Sequence, residues 1–243
     1  MSRMLDLYTR ECLEAAEGRV SKLPDGTRPK GIRVFKSGVL EVLGIAHPIT
    51  PLLWWGPFVG YGVYVGLTRL GAVASAAYLV GGLFVWTFLE YLLHRFVFHM
   101  PAHDQRSRFR RFMFHWYHHE FPNDRMRLLA PPLMSWSVAP VVWILWRLAL
   151  GADAAWPAFA GTALGYLAYD YIHYYTHHFK PGNPIGRWLR SYHLLHHHDD
   201  DQECRFGVSS PLWDLVFGTY KPIKSAKAAR AQQAAVDAKA GVR

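Results

Sequence analysis

The chain has 243 residues, 51% of them hydrophobic, and the apolar residues are gathered into long runs, which argues against an ordinary soluble globule. The formal net charge is +9, and 25 of the 27 Lys and Arg residues lie in three segments between these runs: before residue 49, from His94 to Ala130, and after His178. Such clustering indicates membrane topology and attraction to anionic lipid headgroups, and it argues against nucleic acid as a partner.

Residues 1–48 are predicted to form a cytoplasmic arm. Leu5, Tyr8 and Cys12 recur at helical spacing, which predicts a weakly amphipathic helix on the membrane surface or, equally, a partly ordered leader. We expect no cleavable signal peptide, because the first 40 residues carry many charges and no apolar core of the required length. No disulfide is expected between Cys12 and Cys204, because both fall in segments assigned to the cytoplasm.

Four windows are nearly free of charge, and each is close to the ~20 residues that cross a hydrocarbon core as a helix. They cover about residues 49–67, 71–89, 132–150 and 156–172. Pro51 and Pro57 lie in the first window, so a broken or re-entrant segment is one reading of it. The turns are placed at Thr68 and Arg69 and at residues 151–157.

These windows predict an all-α integral membrane protein with four transmembrane helices in two hairpins. The positive-inside rule places both termini and the central loop in the cytoplasm. A histidine-rich helical domain would cap the helices on that side. The expected divisions are an arm (1–48), a membrane domain with its cap (49–220) and a basic tail (221–243) that is a frayed surface helix or disordered.

Thirteen of the 14 histidines follow residue 93, and most lie in four clusters: HRFVFH, HWYHH, HYYTHH and HLLHHH. On a helix, positions i, i+3 and i+4 span roughly 100° of arc, so the members of one cluster can point at one place. His94 and His99 are five residues apart and would diverge by roughly 140° on an ideal helix. Both can reach one site only if the helix ends or bulges between them.

Ten imidazoles are too many for one metal and suit two metals with about five ligands each. Neutral imidazole binds iron, zinc, copper and nickel, whereas structural zinc sites use four ligands and usually cysteine. The ten predicted ligands are His94, His99, His115, His118, His119, His173, His177, His193, His196 and His197.

Three carboxylates near the clusters are candidates to accept the outer ring N–H and orient an imidazole. They are Glu90, Asp124 and Asp170; plain solvated or capping carboxylates are the alternative reading. The other four histidines are interpreted as structural or substrate-side: His47, His103, His178 and His198.

Aromatic residues near the span ends are predicted to form an interfacial belt and to pack between helices, in preference to lining a lipid channel. They include Trp54, Trp55, Trp86, Trp136, Tyr174 and Tyr175. Near the end of the chain, Trp213, Asp214 and Phe217 are expected to pack the cap onto the membrane helices without a chemical role.

Five passages resemble the fatty acid hydroxylase family, also called the sterol desaturase superfamily, over about residues 80–220. They are FLEYLLHRFVFHM, HHEFPNDRMRLLAPP, YDYIHYYTHH, YHLLHHH and FGVSSPLWDLVFGTY. The fatty acid 2-hydroxylase branch is the most similar, because the FPND, PP and FGTY elements are more specific than histidine boxes, which also fit desaturases and alkane hydroxylases. The resemblance implies the same ten histidine ligands and a four-helix membrane domain with a cytoplasmic cap.

The resemblance also implies an activity: a di-iron monooxygenase that uses dioxygen to hydroxylate a free fatty acid or the acyl chain of a ceramide. Many eukaryotic family members begin with a haem-binding cytochrome domain, for which a 48-residue leader is too short. A separate redox donor protein, of cytochrome or ferredoxin type, is therefore expected. Zinc is a possible occupant in purified protein, since nitrogen sites bind it more tightly than ferrous iron.

Two other classes of function stay open at this point. One is a different lipid oxidase of the same superfamily, acting on a sterol, carotenoid or alkane or introducing a double bond. The other is a non-catalytic membrane metal store or sensor built from the same histidines. A transporter is disfavoured, because the spans carry no ionisable residue near mid-membrane.

Overall fold

The computed structural model describes residues 5–198 and 203–223. Within those residues every regular element is helical, and one isolated bridge joins Tyr8 to Phe35, so the all-α prediction is confirmed for this part of the chain. The predicted basic tail lies outside the described residues from position 224 onward. The elements are α1 (Arg10–Ala16), α2 (Gly38–Leu43), α3 (Thr50–Arg69), α4 (Ala72–Leu92), π1 (Leu93–Phe98), α5 (Gln105–Arg111), π2 (Phe112–Trp116), α6 (Tyr117–Glu120), α7 (Pro132–His178), α8 (Pro184–His198) and α9 (Leu212–Val216).

The first apolar window forms one continuous helix, α3, so the reading of it as broken is wrong, while its path through the membrane stays a prediction. Pro51 lies in the first turn, where backbone N–H groups have no acceptor within the helix and the missing donor costs nothing. Pro57 is accommodated inside the helix. The chain turns after Leu70 at Gly71, whose φ of 81° is left-handed.

The third and fourth windows join in α7, which runs from Pro132 to His178 with one non-helical residue, Gly151. The φ of Gly151 is 83°, a conformation that favours glycine because it has no Cβ. The helix resumes at once and includes Pro157. The turn predicted over residues 151–157 is therefore wrong in extent, since a single glycine reverses the chain.

Two helical stretches are long and apolar enough to cross a membrane, Ala72–Phe98 and Pro132–His178. Their most apolar parts are only 11% and 0% buried within the protein, whereas the core helix of a soluble protein is mostly buried. Apolar surface left open in this way fits contact with lipid. The number of crossings and the orientation of the termini stay predictions.

The N-terminal arm packs against the cap. Cys12 of α1 is fully buried in a cluster with Phe35, Phe109 and Phe112. The ring of Tyr8 lies 4.7 Å from that of Phe109, edge to face. The apolar side of this segment therefore faces protein, and a position of the arm on the membrane surface stays a prediction.

Candidate metal centre

His94 and His99 are brought to one site by π1, the segment in which α4 leaves its regular α-helical course. The backbone N–H of His99 donates to the carbonyl of His94 over 3.0 Å, the five-residue hydrogen bond that defines a π-turn. One turn of the helix therefore separates the two residues. This is the bulge that the five-residue spacing requires.

Two of the other clusters divide between two groups of imidazoles, whereas His173 and His177 stay together in one. His115 and His119, which are one turn apart, face one group, and His118 between them faces the other. On α8 the pattern is inverted, because His193 and His197 share a group and His196 turns away from them. The expectation that each trio points at one place is therefore wrong.

The structure brings all ten predicted histidines into two groups of five, and within each group the ligating nitrogens lie within 4.8 Å of one another. Each group contains two pairs that are one helical turn apart and one single residue. The groups are neighbours, since the rings of His119 and His197 stack with centroids 4.1 Å apart. Group 1 is His94, His99, His115, His119 and His196; group 2 is His118, His173, His177, His193 and His197.

The ring nitrogens that face the centre of each group are better suited to binding metal ions than to hydrogen bonding with one another. In group 2, Nε2 of His118 lies 3.0 Å from Nε2 of His173 and 2.9 Å from Nε2 of His197. A neutral imidazole nitrogen carries either one hydrogen or one lone pair, so such a crowd cannot be satisfied by hydrogen bonds alone. Cations that accept several lone pairs fit the donor set, and the residues present therefore suit two metal ions.

Two rings of group 1 are oriented from behind by backbone carbonyls. Nδ1 of His94 donates to the carbonyl of Phe206 over 2.6 Å, and Nδ1 of His196 donates to that of Cys204 over 2.8 Å. A proton on Nδ1 leaves a lone pair on Nε2, which then faces the group. Burial lowers the pKa of His196 to about 4, and burial together with His196 and Arg111 lowers that of His99 to about 3. Both rings are therefore neutral, as metal ligation requires.

An apolar cavity of about 370 Å³ reaches both groups. It touches His115 of group 1 and His118 and His173 of group 2. Between α3 and α7 it is lined by apolar side chains that include Trp55 and Ala163. An apolar ligand in this cavity would end beside both groups.

A family model described as fatty acid hydroxylase matches residues 79–219, which is more than half of the chain. The chain belongs to the fatty acid hydroxylase family. The matched region holds all ten histidines of the two groups.

Named relatives agree with this assignment. The chain is 36% identical over 214 residues to the dihydroceramide fatty acyl 2-hydroxylase FAH1 of Arabidopsis thaliana, covering 84% of this chain and 85% of that protein. It is 38% identical over 184 residues to the ceramide very long chain fatty acid hydroxylase SCS7 of Saccharomyces cerevisiae, covering 72% of this chain and 47% of the yeast protein. Human fatty acid 2-hydroxylase is 33% identical over 219 residues, and the match spans 82% of this chain and 58% of the human protein.

The fold agrees as well. A solved structure of full-length scs7p, in which only the hydroxylase domain is visible, matches with a TM-score of 0.76 at 30% identity. The match covers 91% of this chain and 85% of that chain. Together with the two apolar helices, this likeness supports a membrane hydroxylase fold.

The three predicted carboxylates form no hydrogen bond to an imidazole among the described residues, so the expected direct hydrogen bonds are not found there. Glu90 accepts from the backbone N–H of Val208 over 2.7 Å and Asp170 accepts from the Tyr166 hydroxyl over 3.0 Å. Asp124 accepts from the hydroxyl of Tyr117 over 2.6 Å and from the backbone N–H of Met126 over 3.0 Å. Each of these carboxylates accepts from a donor outside both histidine groups. They therefore stabilise the structure that surrounds the groups.

The structure separates the remaining candidates. The four other histidines lie outside both groups: His47, His103, His178 and His198. Of the six aromatic residues, Trp55 and Trp86 line the cavity, while Trp54 packs on Trp136 with ring centroids 4.4 Å apart. Trp55 and Trp86 also pack on Tyr166 of α7, so the predicted packing between helices is confirmed for both, and the interfacial belt stays a prediction.

The predicted packing of Trp213 and Phe217 onto α4 is confirmed, and Asp214 makes a further set of hydrogen bonds. Trp213 donates from its ring nitrogen to Thr87 of α4 over 2.9 Å, and Phe217 stacks on Tyr91 with centroids 5.2 Å apart. Asp214 is fully buried and accepts from the backbone of the segment whose carbonyls orient His94 and His196. Sequence reasoning missed that connection, because a lone aspartate in an aromatic run carries no signal for it.

Proposed function

We propose that this chain is a di-iron oxygenase that hydroxylates a lipid acyl chain at the carbon next to its carbonyl group. It would sit in the membrane through four spans, with both termini and the metal centre on the cytoplasmic side. The observation that carries the proposal is the apolar cavity that touches His115, His118 and His173, so that one ligand can meet both groups. The names of the relatives, which describe fatty acyl hydroxylases, support it.

The ten imidazoles would hold two iron ions, five to each group. Bound iron would supply the activation of dioxygen that attack on an unactivated C–H bond requires. One oxygen atom enters the C–H bond and the other leaves as water, which consumes two electrons and two protons. A separate redox protein of cytochrome or ferredoxin type would deliver the electrons.

The cavity supports the proposed position of attack. Its wall between the membrane helices includes Trp55, Phe159 and Ala163, which suit a hydrocarbon tail. Towards the N-terminal arm the wall includes Tyr117 and Arg127, which suit a polar headgroup. A lipid bound with its tail in the membrane part would present carbons close to its headgroup to the two groups.

The charge of the cavity wall favours a neutral headgroup. Among the described residues that line the cavity, Arg127 is the one Lys or Arg, and it is already paired with Glu41. Its guanidinium also donates to the carbonyl of Gly44 over 2.8 Å and lies 3.9 Å from Asp124. A fatty carboxylate would compete for this cation, whereas an amide-linked acyl chain, as in a ceramide, needs no counter-ion.

The test uses cells that express the wild type or His196→Ala under ¹⁸O-labelled dioxygen, followed by mass spectrometry of intact ceramides and of free fatty acids. We expect ¹⁸O-labelled 2-hydroxy acyl chains with the wild type alone, and labelled ceramides before labelled free acids. Unlabelled hydroxyl groups would contradict the use of dioxygen. Zinc in purified protein would not contradict the proposal, because nitrogen sites favour zinc over ferrous iron.

Two alternatives give different results in the same experiment. A superfamily oxidase with another substrate would label a sterol, carotenoid or alkane, or would introduce a double bond and leave acyl chains unlabelled. A non-catalytic metal-binding protein would yield no oxygen-dependent product even with a suitable reductase present. The acyl cavity beside the two groups favours the oxygenase, since a metal store needs no lipid site.

A further inference from the structure

The two groups differ in what lies behind their rings. Residues 204–209, here called the strap, pass behind group 1, and the carbonyls of Cys204 and Phe206 accept from Nδ1 of His196 and His94. Arg205 between them has a φ of 59°, which places it in the left-handed region that residues with a side chain rarely adopt. The surrounding protein must impose that conformation.

Asp214 holds the middle of the strap. Its carboxylate accepts from the backbone N–H of Phe206 over 2.9 Å and from that of Gly207 over 2.8 Å, one on each oxygen. A Cβ added to Gly207 would clash with the backbone carbonyl of Ser210 and lie 3.0 Å from the Asp214 carboxylate, so a larger residue would force the strap to shift. Phe206 is thus held through both peptide groups that flank it, through its own N–H and through the carbonyl that accepts from His94.

Glu90 holds the end of the strap from the membrane side. It is 3% exposed, and one of its oxygens accepts from the backbone N–H of Val208 over 2.7 Å and of Ser209 over 2.8 Å. Its other oxygen accepts from the Ser209 hydroxyl. Since Glu90 lies one turn before His94, the helix that carries a ligand also anchors the segment that orients it.

Group 2 has no equivalent support in the described part of the chain. None of its five rings donates to a backbone carbonyl there, whereas two rings of group 1 do; unpartnered buried ring nitrogens occur in both groups, at His193 and His197 here and at His119 in group 1. Hydrogen bonds to the outer nitrogen fix the tautomer and the ring orientation and make the inner nitrogen a stronger ligand. The two groups should therefore bind metal unequally.

We propose that Glu90 and Asp214 are positioning residues which act through the strap and make group 1 the tighter of the two metal sites. The inference rests on the proposed two-metal function. Neither carboxylate touches a metal ligand, so their effect reaches the metal through the carbonyls of Phe206 and Cys204. Removing such support typically costs 10–100-fold in metal affinity.

The test is a titration of the purified, metal-free full chain with Co²⁺ against a competing chelator, with metal content and the visible Co²⁺ spectrum as readouts. We expect two Co²⁺ ions of unequal affinity in the wild type. His177→Ala should remove the weaker site and His99→Ala the tighter one, which assigns each affinity to a group.

Asp214→Ala and Glu90→Leu should weaken the tighter site by about 10–100-fold and leave the weaker site unchanged. Glu90→Gln should restore wild-type binding, because one amide oxygen can still accept from Val208 and Ser209. Asp214→Asn should not, because both carboxylate oxygens accept backbone donors. Asp124→Asn is the control: this partly buried carboxylate accepts from the Tyr117 hydroxyl and forms no hydrogen bond to the strap.

The outcomes separate this inference from the proposed function. Two sites of equal affinity, or carboxylate variants that weaken both sites alike, would overturn the inference and leave the two-metal function standing. Binding of fewer than two Co²⁺ ions by the wild type would contradict the proposed function itself. If Asp214→Ala fails to fold, the pair Glu90→Leu and Glu90→Gln decides the question.

Discussion

Group 1 and group 2 contain the same number of imidazoles and share one cavity, but different parts of the fold hold them. Group 1 takes a π-turn pair from the end of α4 and is supported by a backbone strap. Group 2 takes His173 and His177 from the end of α7 and His193 and His197 from α8. The comparison shows that two sets of five imidazoles are surrounded by different hydrogen bonds, and the proposed difference in metal affinity rests on that difference.

The pairing rule is common to both groups. In each, residues one helical turn apart stay together, and one single residue comes from a segment that otherwise serves the other group. His118 lies beside the group 1 residue His119 on α6 but belongs to group 2. His196 lies beside the group 2 residue His197 on α8 but belongs to group 1. These two residues link the groups into one centre, so substitutions at His118 and His196 should disrupt it most.

The largest effect is expected from His118→Ala and His196→Ala. Each removes one of five ligands and leaves buried nitrogens facing a vacancy, so both should reduce hydroxylated product to background. Product is measured by mass spectrometry of membrane lipids, with membrane insertion checked by fractionation. His198→Ala is the matched control, because this exposed neighbour lies outside both groups. Full activity in His118→Ala or in His196→Ala would contradict a centre that needs both groups.

A smaller and more selective effect is expected from Gly207→Ala. The added methyl group would press on Asp214 and on the Ser210 carbonyl, and overpacking of this kind costs about 1–3 kcal/mol. The strap must then shift, so metal loss should begin at group 1. Thermal unfolding and Co²⁺ content measure the two effects. Gly182→Ala, at an exposed position with open space around it, should change neither. Equal loss from both groups would show that the strap does not distinguish them.

The cavity that the groups share can be shortened without touching either group. Ala163 is buried on α7 and lines the membrane part of the cavity. Ala163→Phe should fill that part and shift the products towards shorter acyl chains, measured as the chain-length distribution of hydroxylated lipids. Ala168→Phe lies on the exposed side of the same helix and should leave the distribution as it is. An unchanged distribution in Ala163→Phe would place the acyl tail elsewhere.

The smallest effect concerns the arm that lies beside the cavity. Burial raises the pKa of the Cys12 thiol to about 12, and only a thiolate is alkylated readily, so Cys12 should react slowly at pH 8. Glu41→Ala removes the carboxylate that holds Arg127 and the backbone of Phe35, and should speed the reaction by releasing the arm. Mass spectrometry of alkylated peptides gives the rates. Fast alkylation in the wild type would contradict the packing of α1 on the cap.

Much of this arrangement could be predicted from the sequence, because it depends on helical spacing. The charge-free windows predicted the apolar helices, and the five-residue gap between His94 and His99 required a bulge, which the structure supplies as π1. Spacing alone could not divide the histidine trios. An arc of roughly 100° is wide enough to face one metal or two, and neighbouring helices decide which.

The strap could not be predicted for a different reason. Its contacts to His94 and His196 come from backbone carbonyls, which every residue type carries, so no residue pattern marks them. The left-handed conformation of Arg205 could not be predicted from the sequence either, since glycine is the residue expected in that conformation. The predicted carboxylate Glu90 does reach the segment behind group 1, but it accepts from two backbone N–H groups instead of an imidazole.

The most direct test of the account follows the hydrogen that is removed. Purified protein loaded with Fe²⁺ and supplied with a reductase and dioxygen would receive a ceramide whose acyl chain carries deuterium only at C2. The account predicts a product that has gained one oxygen atom and lost one deuterium, which mass spectrometry reads in a single spectrum. A product that gains oxygen and keeps both deuterium atoms would show attack at another carbon and would contradict the proposed placement of the lipid between the two groups.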